Sequence, residues 1–93
     1  MEIKTPYLQI ENYDFNNNII DLIPEEISRA YKTIAVDCIK SDKYNLLTIC
    51  MSKFNQNLIN ILERKLNCLV RVFLGTEKEI IKAINNGYIN KNN

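Results

Sequence analysis

The 93-residue sequence contains no histidine. That removes the commonest general base, the usual member of a catalytic triad and the commonest zinc ligand together. The cysteines, Cys38, Cys50 and Cys68, are odd in number, form no CxxC pair and each lie in an apolar stretch. Free thiols so placed behave as small hydrophobes, and their spacing does not build a zinc site. The only glycines are Gly75 and Gly87, so neither a Walker loop nor a GxGxxG turn can be assembled around a phosphate. Glu25 and Glu26 are adjacent at a helix start. Their side chains diverge, and their place is the positive end of the helix dipole. No catalytic residue, metal site or cofactor is expected, and the chain is read as a non-enzyme.

Two charged residues stand inside strand-like stretches, Asp37 and Arg71. They are either solvent-facing charges that deter edge aggregation or a polar hot spot for a partner. Tyr7, Phe15 and Tyr44 are candidate protein-interface aromatics, and Arg29 is a further candidate contact. No strand interleaves aromatic residues with Lys or Arg as base stacking requires. With 12 basic and 11 acidic side chains the net charge is +1. That balance gives no electrostatic footing for nucleic acid or an anionic membrane. The apolar runs are too short for a signal peptide or a membrane span, so a cytoplasmic setting is expected.

The elements that must position these residues follow from periodicity. Residues 1–23 read as an N-terminal arm and helical lead-in. Tyr7-Leu8-Gln9-Ile10 is either a short strand or an extended arm laid on the core, and Asp14 caps a short helical segment to Leu22. Pro24 suits the first turn of a helix, with Ile23, Ile27, Ala30 and Tyr31 as its buried stripe and Lys32 at its negative end. Thr33 to Ile39 and Tyr44 to Met51 read as a β-hairpin, the second strand apolar on both faces and therefore central. Ser52 or Asn55 caps the next helix, with Phe54, Leu58, Ile61, Leu62 and Leu66 at helical spacing and Asn67 just past its end. Leu69 to Leu74 is a third strand. Thr76-Glu77-Lys78-Glu79 is a capping box, and the helix it opens buries Ile80, Ile81, Ile84 and Tyr88 before Gly87 stops it. The order helix–strand–strand–helix–strand–helix gives an α+β fold. Its small mixed sheet has an antiparallel first pair and a parallel second pair joined by a right-handed crossover. The core is placed at 24–88, with a disordered tail at 89–93.

The same residues resemble the N-terminal domain of type II secretion and type IV pilus-assembly ATPases, the GspE N-terminal-like domain. Leu8-Gln9-Ile10-Glu11-Asn12-Tyr13 is similar to the family's lead-in, and Leu22-Ile23-Pro24-Glu25-Glu26-Ile27-Ser28-Arg29-Ala30-Tyr31-Lys32 to its "IPEElARkyk" helix. Leu46-Leu47-Thr48-Ile49-Cys50-Met51 is similar to its "LtvAm" strand. Val70, Gly75, Thr76, Glu79, Ile80, Ala83, Ile84 and Tyr88 follow its C-terminal pattern. The departures lie at Ala35, where the family has proline, at Ser52-Lys53-Phe54-Asn55-Gln56, where it has A-D-P-x-D/N, and at Leu66-Asn67, where it has Thr-Gly. The resemblance implies a docking or regulatory domain that tethers a secretion or pilus ATPase to a membrane-platform partner, peripheral to the inner face of the membrane. A related variant binds cyclic di-GMP through an R-L-G-x-x-L motif. That motif is missing, and Arg29, Arg64 and Arg71 do not reproduce it. A nucleotide second-messenger sensor is the alternative reading.

Overall fold

The structure, a computed structural model, describes residues 17–89. Its elements run α1 (Asn17–Ile20), α2 (Glu25–Tyr31), β1 (Thr33–Lys40), β2 (Asn45–Met51), α3 (Gln56–Leu66), β3 (Leu69–Leu74) and α4 (Glu77–Ile89). The sheet order is β1-β2-β3, with β1 and β2 antiparallel and β2 and β3 parallel. This is the expected α+β arrangement, with the doubly apolar strand β2 at its centre and buried from Leu47 to Met51. The Tyr7–Ile10 segment and the Asp14 cap lie outside the described residues, as do Tyr13 and Phe15.

The ends of α2 and α3 and the start of α4 fall where terminal groups find partners. Pro24 precedes α2, and its carbonyl accepts from the amides of Ile27 and Ser28. Lys32 ends α2 in the left-handed conformation (φ 50°), and its ammonium donates to the Arg29 carbonyl at 2.8 Å, a cation at the negative end of the helix. Asn55 caps α3, its side-chain oxygen accepting from the Leu58 amide at 3.1 Å, and Asn67 closes it at φ 51°. Asn67 is one of the few residue types that tolerate this backbone region. Before α4, the Thr76 hydroxyl accepts from the Glu79 amide at 3.2 Å and donates to the Glu79 carboxylate at 3.0 Å. The turn between β1 and β2 is held by Ser41, whose hydroxyl donates to the Tyr44 carbonyl and accepts from the Tyr44 amide.

Two apolar clusters form on opposite sides of the sheet. On one side Ala35, Leu47, Ile49 and Met51 pack against Leu58, Ile59 and Leu62 of α3, with Ile23 joining them. On the other, Ile34, Val36 and Cys50 pack against Ile80, Ala83, Ile84 and Tyr88 of α4 and against Ile20. Each fully buried Leu or Ile contributes about 1.5–3 kcal/mol by leaving water.

Several expected stripes are corrected. Phe54 lies before α3 because Asn55 is the cap, and it is 51% exposed. Ile61 is also exposed. The helix buries Leu58, Ile59 and Leu62, and Ile61 sits roughly 105° around the axis from their centre at about 100° per residue. In α2, Ala30 and Tyr31 are exposed and Ser28 is the buried residue. Ser28 is satisfied by the Tyr88 hydroxyl at 2.7 Å, which also bonds the Ile20 carbonyl at 3.0 Å and the Ile23 carbonyl. In α4, Ile81 is partly open while Ala83 is buried. Gly87 does not stop α4, which runs on to Ile89. A Cβ there would come within 2.0 Å of the Ile20 side chain, so the glycine allows α1 to press against α4.

Candidate docking surface

The two sides of the sheet are covered unequally. Strand alternation puts Ile34, Cys50 and Phe73 in one row on the α4 side, Asp37, Thr48 and Arg71 in the next, and Ile39, Leu46 and Leu69 in the third. Covering falls off from the first row to the third, and Thr48 in the middle row is buried, with Arg71 bonded to its hydroxyl. Ile34 and Cys50 are fully buried, whereas Ile39 is 48% and Leu69 51% exposed. Across the strands, α4 crosses from the end of β3 to β1 and β2, leaving the α4-side face of β3 and the lower ends of β1 and β2 open.

Asp37 enters this face through a β-bulge. The register shifts between Ala35 and Asp37, so Val36 is the extra residue and Asp37 comes directly opposite Thr48. Its carboxylate makes no hydrogen bond or ion pair among the described residues. Arg71 is held in place from two sides. Its Nε and Nη2 donate to Thr48 Oγ1 at 3.1 and 2.9 Å, and its guanidinium lies 5.7 Å from the Phe73 ring centroid. Two of its five donors are thus spent on one hydroxyl, and the residue is exposed.

The edge beside this face is partly closed. Glu63 reaches from α3 to accept the outward-pointing Val70 amide at 3.1 Å, which removes one of the donors that an added strand would need. Below it, an open cleft of about 390 Å³ is lined by Asp42, Lys43, Tyr44, Glu63 and Leu69 among others, so Tyr44 adjoins the open face through Leu69.

Of the candidate contacts, Asp37 and Arg71 come together on one face, and Tyr44 lies at its lower rim. Arg29 lies elsewhere and has an internal use: its Nε donates to Glu25 at 2.7 Å and its Nη1 to Asn85 at 2.8 Å, tying α2 to α4. Tyr7 and Phe15 fall outside the described residues. Ile39, Leu46, Leu69 and Phe73 were not singled out. The signal was present in β3, where Leu69, Arg71 and Phe73 alternate with Val70, Val72 and Leu74. A strand apolar on both faces needs two coverings, and only one helix follows it.

Of the thiols, Cys50 is buried, Cys38 and Cys68 are half-buried, and Cys68 lines the cleft beside Leu69. Burial pushes Cys50 up to about 11, with Glu79 adding to the effect, and burial likewise raises Cys68, with smaller contributions from Cys38 and Glu63. Among the described residues no three His, Cys, Asp or Glu side chains are grouped to hold a metal, and no helix is long and apolar enough to cross a membrane.

No protein-family model and no curated protein matches the sequence. The fold does have a counterpart in a structure of MshE, a type IV pilus-assembly ATPase, with cdg (cyclic di-GMP). It aligns at a TM-score of 0.65 and 16% identity over 90% of this chain. The chain spans 59% of the length of that one. At this identity the likeness is one of fold.

Proposed function

We propose that this is a non-catalytic docking domain of the kind found at the N-terminus of type II secretion and type IV pilus-assembly ATPases, and that it tethers to a membrane-platform protein. The observation that carries the reading is the open half of the sheet, where exposed Ile39 and Leu69 flank a pre-positioned Arg71. An exposed apolar row with one fixed cation has the composition of a protein-interface centre. The shared fold with a pilus ATPase and the motif resemblance supply the setting. Attachment at the membrane is then peripheral, through the partner.

The competing reading is a cyclic di-GMP sensor, and the presence of cdg in the MshE structure favours testing it. An anionic dinucleotide calls for converging arginines. Here Arg29 is on α2, Arg64 on α3 and Arg71 on β3, with Arg29 and Arg71 engaged as described. Photo-crosslinking in the host from position 69 is expected to trap one secretion- or pilus-platform protein. Concentration-dependent thermal stabilisation by cyclic di-GMP, with no crosslinked partner, would replace docking by sensing.

A further inference from the structure

The two edges of the sheet are finished differently. At the β1 edge, α1 and α2 pack against the strand, and the bulge at Val36 breaks its ladder. At the other edge, β3 pairs with β2 in unbroken register. Its residues, Leu69-Val70-Arg71-Val72-Phe73-Leu74, include no proline and a single charge. That is the composition of a strand that readily accepts another. The Gly75 amide donates to the Met51 carbonyl at 2.9 Å. By alternation, Leu69, Arg71 and Phe73 turn their peptide groups toward β2, and Val70, Val72 and Leu74 turn theirs outward. Among the described residues, the outward amides of Val72 and Leu74 meet no backbone carbonyl. The Val70 amide donates to the Glu63 carboxylate at 3.1 Å.

Glu63 is held in that position by the chain itself. Its carbonyl accepts from the Asn67 amide and, at 3.2 Å, from the Cys68 amide. The left-handed turn at Asn67 that ends α3 therefore also sets Glu63 beside the start of β3. The half-buried carboxylate occupies the place that the carbonyl of an added strand would need, since both must approach the same N–H. Pairing there would displace the carboxylate or bury its charge among the carbonyl oxygens of the newcomer, and both are costly.

We infer that Glu63 is the guard of this edge, and that it holds β3 against antiparallel pairing with β3 of a second copy of the chain. Two identical strands related by a twofold axis run antiparallel. With the axis at Val72, the outward groups of Val70 meet those of Leu74 in the other copy, and Arg71 stands opposite its Phe73. Moving the axis to Arg71 would set like charges directly opposite each other. The favoured register thus needs the very amide that Glu63 occupies. The guard stands whether or not the open face docks a partner.

Sedimentation velocity and amide hydrogen exchange on the 93-residue chain test it. The unsubstituted chain is expected to be monomeric, with Val70 exchanging at least about tenfold more slowly than Val72. Glu63→Ala should remove that protection and strengthen self-association by about tenfold or more, with Val72 and Leu74 protected in the dimer. Glu63→Gln keeps an oxygen for the Val70 amide and should stay monomeric. Adding Val72→Pro to Glu63→Ala removes the donor on the axis, a change that an outward-facing edge position tolerates, and should restore the monomer. Aggregation from a loosened junction between α3 and β3 would not be reversed in this way. Equal exchange at Val70 and Val72, an unsubstituted chain that already dimerises through Val72, or a monomeric Glu63→Ala overturns the inference. So does a Glu63→Gln that dimerises as readily as Glu63→Ala, or a failure of Val72→Pro to restore the monomer. The exchange comparison needs no variant, so it decides even where Glu63→Ala does not fold.

Discussion

The two faces of this sheet are built from the same three strands and end up with different tasks. On the α3 side, alternate residues of β1 and β2, from Ala35 to Ile49 and Met51, meet the Leu58–Leu62 stripe, and Val70, Val72 and Leu74 pack against it as well. On the α4 side the covering thins along the strands: Ile34 and Cys50 are fully buried, Thr48 is buried with Arg71 bonded to its hydroxyl, and Ile39 and Leu69 are exposed. The described residues include four helices that must be placed around a three-stranded sheet. Three of them, α1, α2 and α4, are bound to one another through the Tyr88 hydroxyl and the Arg29–Asn85 bond. Crowding them at one end of the sheet leaves the other end bare. An uncovered, partly apolar sheet surface with an anchored guanidinium is where a partner gains most by binding, because desolvation there is favourable and Arg71 is already ordered.

The sharpest way to break this comparison is to truncate corresponding positions on the two sides. Leu62→Ala, in the filled face, is expected to lower unfolding free energy by about 2–5 kcal/mol. Leu69→Ala, on the open face, should change it by less than about 0.5 kcal/mol. Urea denaturation measures both, and similar losses would mean that Leu69 is a core residue in solution.

The next effect is a pH dependence. Cys50 is fully buried, and its thiol is raised from 9.0 to about 11. The folded state therefore holds its proton more tightly than the unfolded chain. Stability is full below about pH 9 and falls by on the order of 2–3 kcal/mol as pH rises to 11. Burial raises the Tyr88 hydroxyl too, so it adds a loss of the same sign above its ordinary value of 10.0. Cys50→Ala should flatten the part of the decline that begins near pH 9, as followed by thermal unfolding across that range.

Tyr88→Phe removes the donor to the Ile20 and Ile23 carbonyls and orphans the buried Ser28 hydroxyl. A loss of about 2 kcal/mol is expected, and Tyr88→Phe with Ser28→Ala should lose less than the sum of the two single changes. Gly87→Ala gains about 1 kcal/mol of helix propensity. It also drives a methyl into Ile20, which is fully buried and has no room to turn. Overpacking costs about 1–3 kcal/mol, so a net loss near 1 kcal/mol is expected by calorimetry.

The sequence shows much of this frame and little of its unevenness. Periodicity and caps placed β3, Asn67 and the Thr76 cap because these depend on neighbours in the chain. The bulge at Val36 did not show, since a bulge is a property of two strands in register and β1 alone alternates without a visible fault. Gly87 read as a helix stop because only the distant Ile20 explains a glycine inside α4. Ser28 was left out of the expected buried stripe, since its partner, Tyr88, lies 60 positions away. Asp37 and Arg71 were visible as charges in strands. That they share a row depends on the parallel pairing of β2 with β3, and that the row is open depends on where α4 ends up.

Partner capture from the host with two matched variants tests the central claim most directly. Leu69 is 51% exposed on the open face and Ile61 is 49% exposed on the outer surface of α3, so exposure alone does not separate them. Leu69→Asp is expected to abolish co-purification of the platform protein while Ile61→Asp retains it, both variants unfolding close to the unsubstituted chain. Retention by Leu69→Asp, or loss by Ile61→Asp alone, would contradict the assignment of docking to the open half of the sheet.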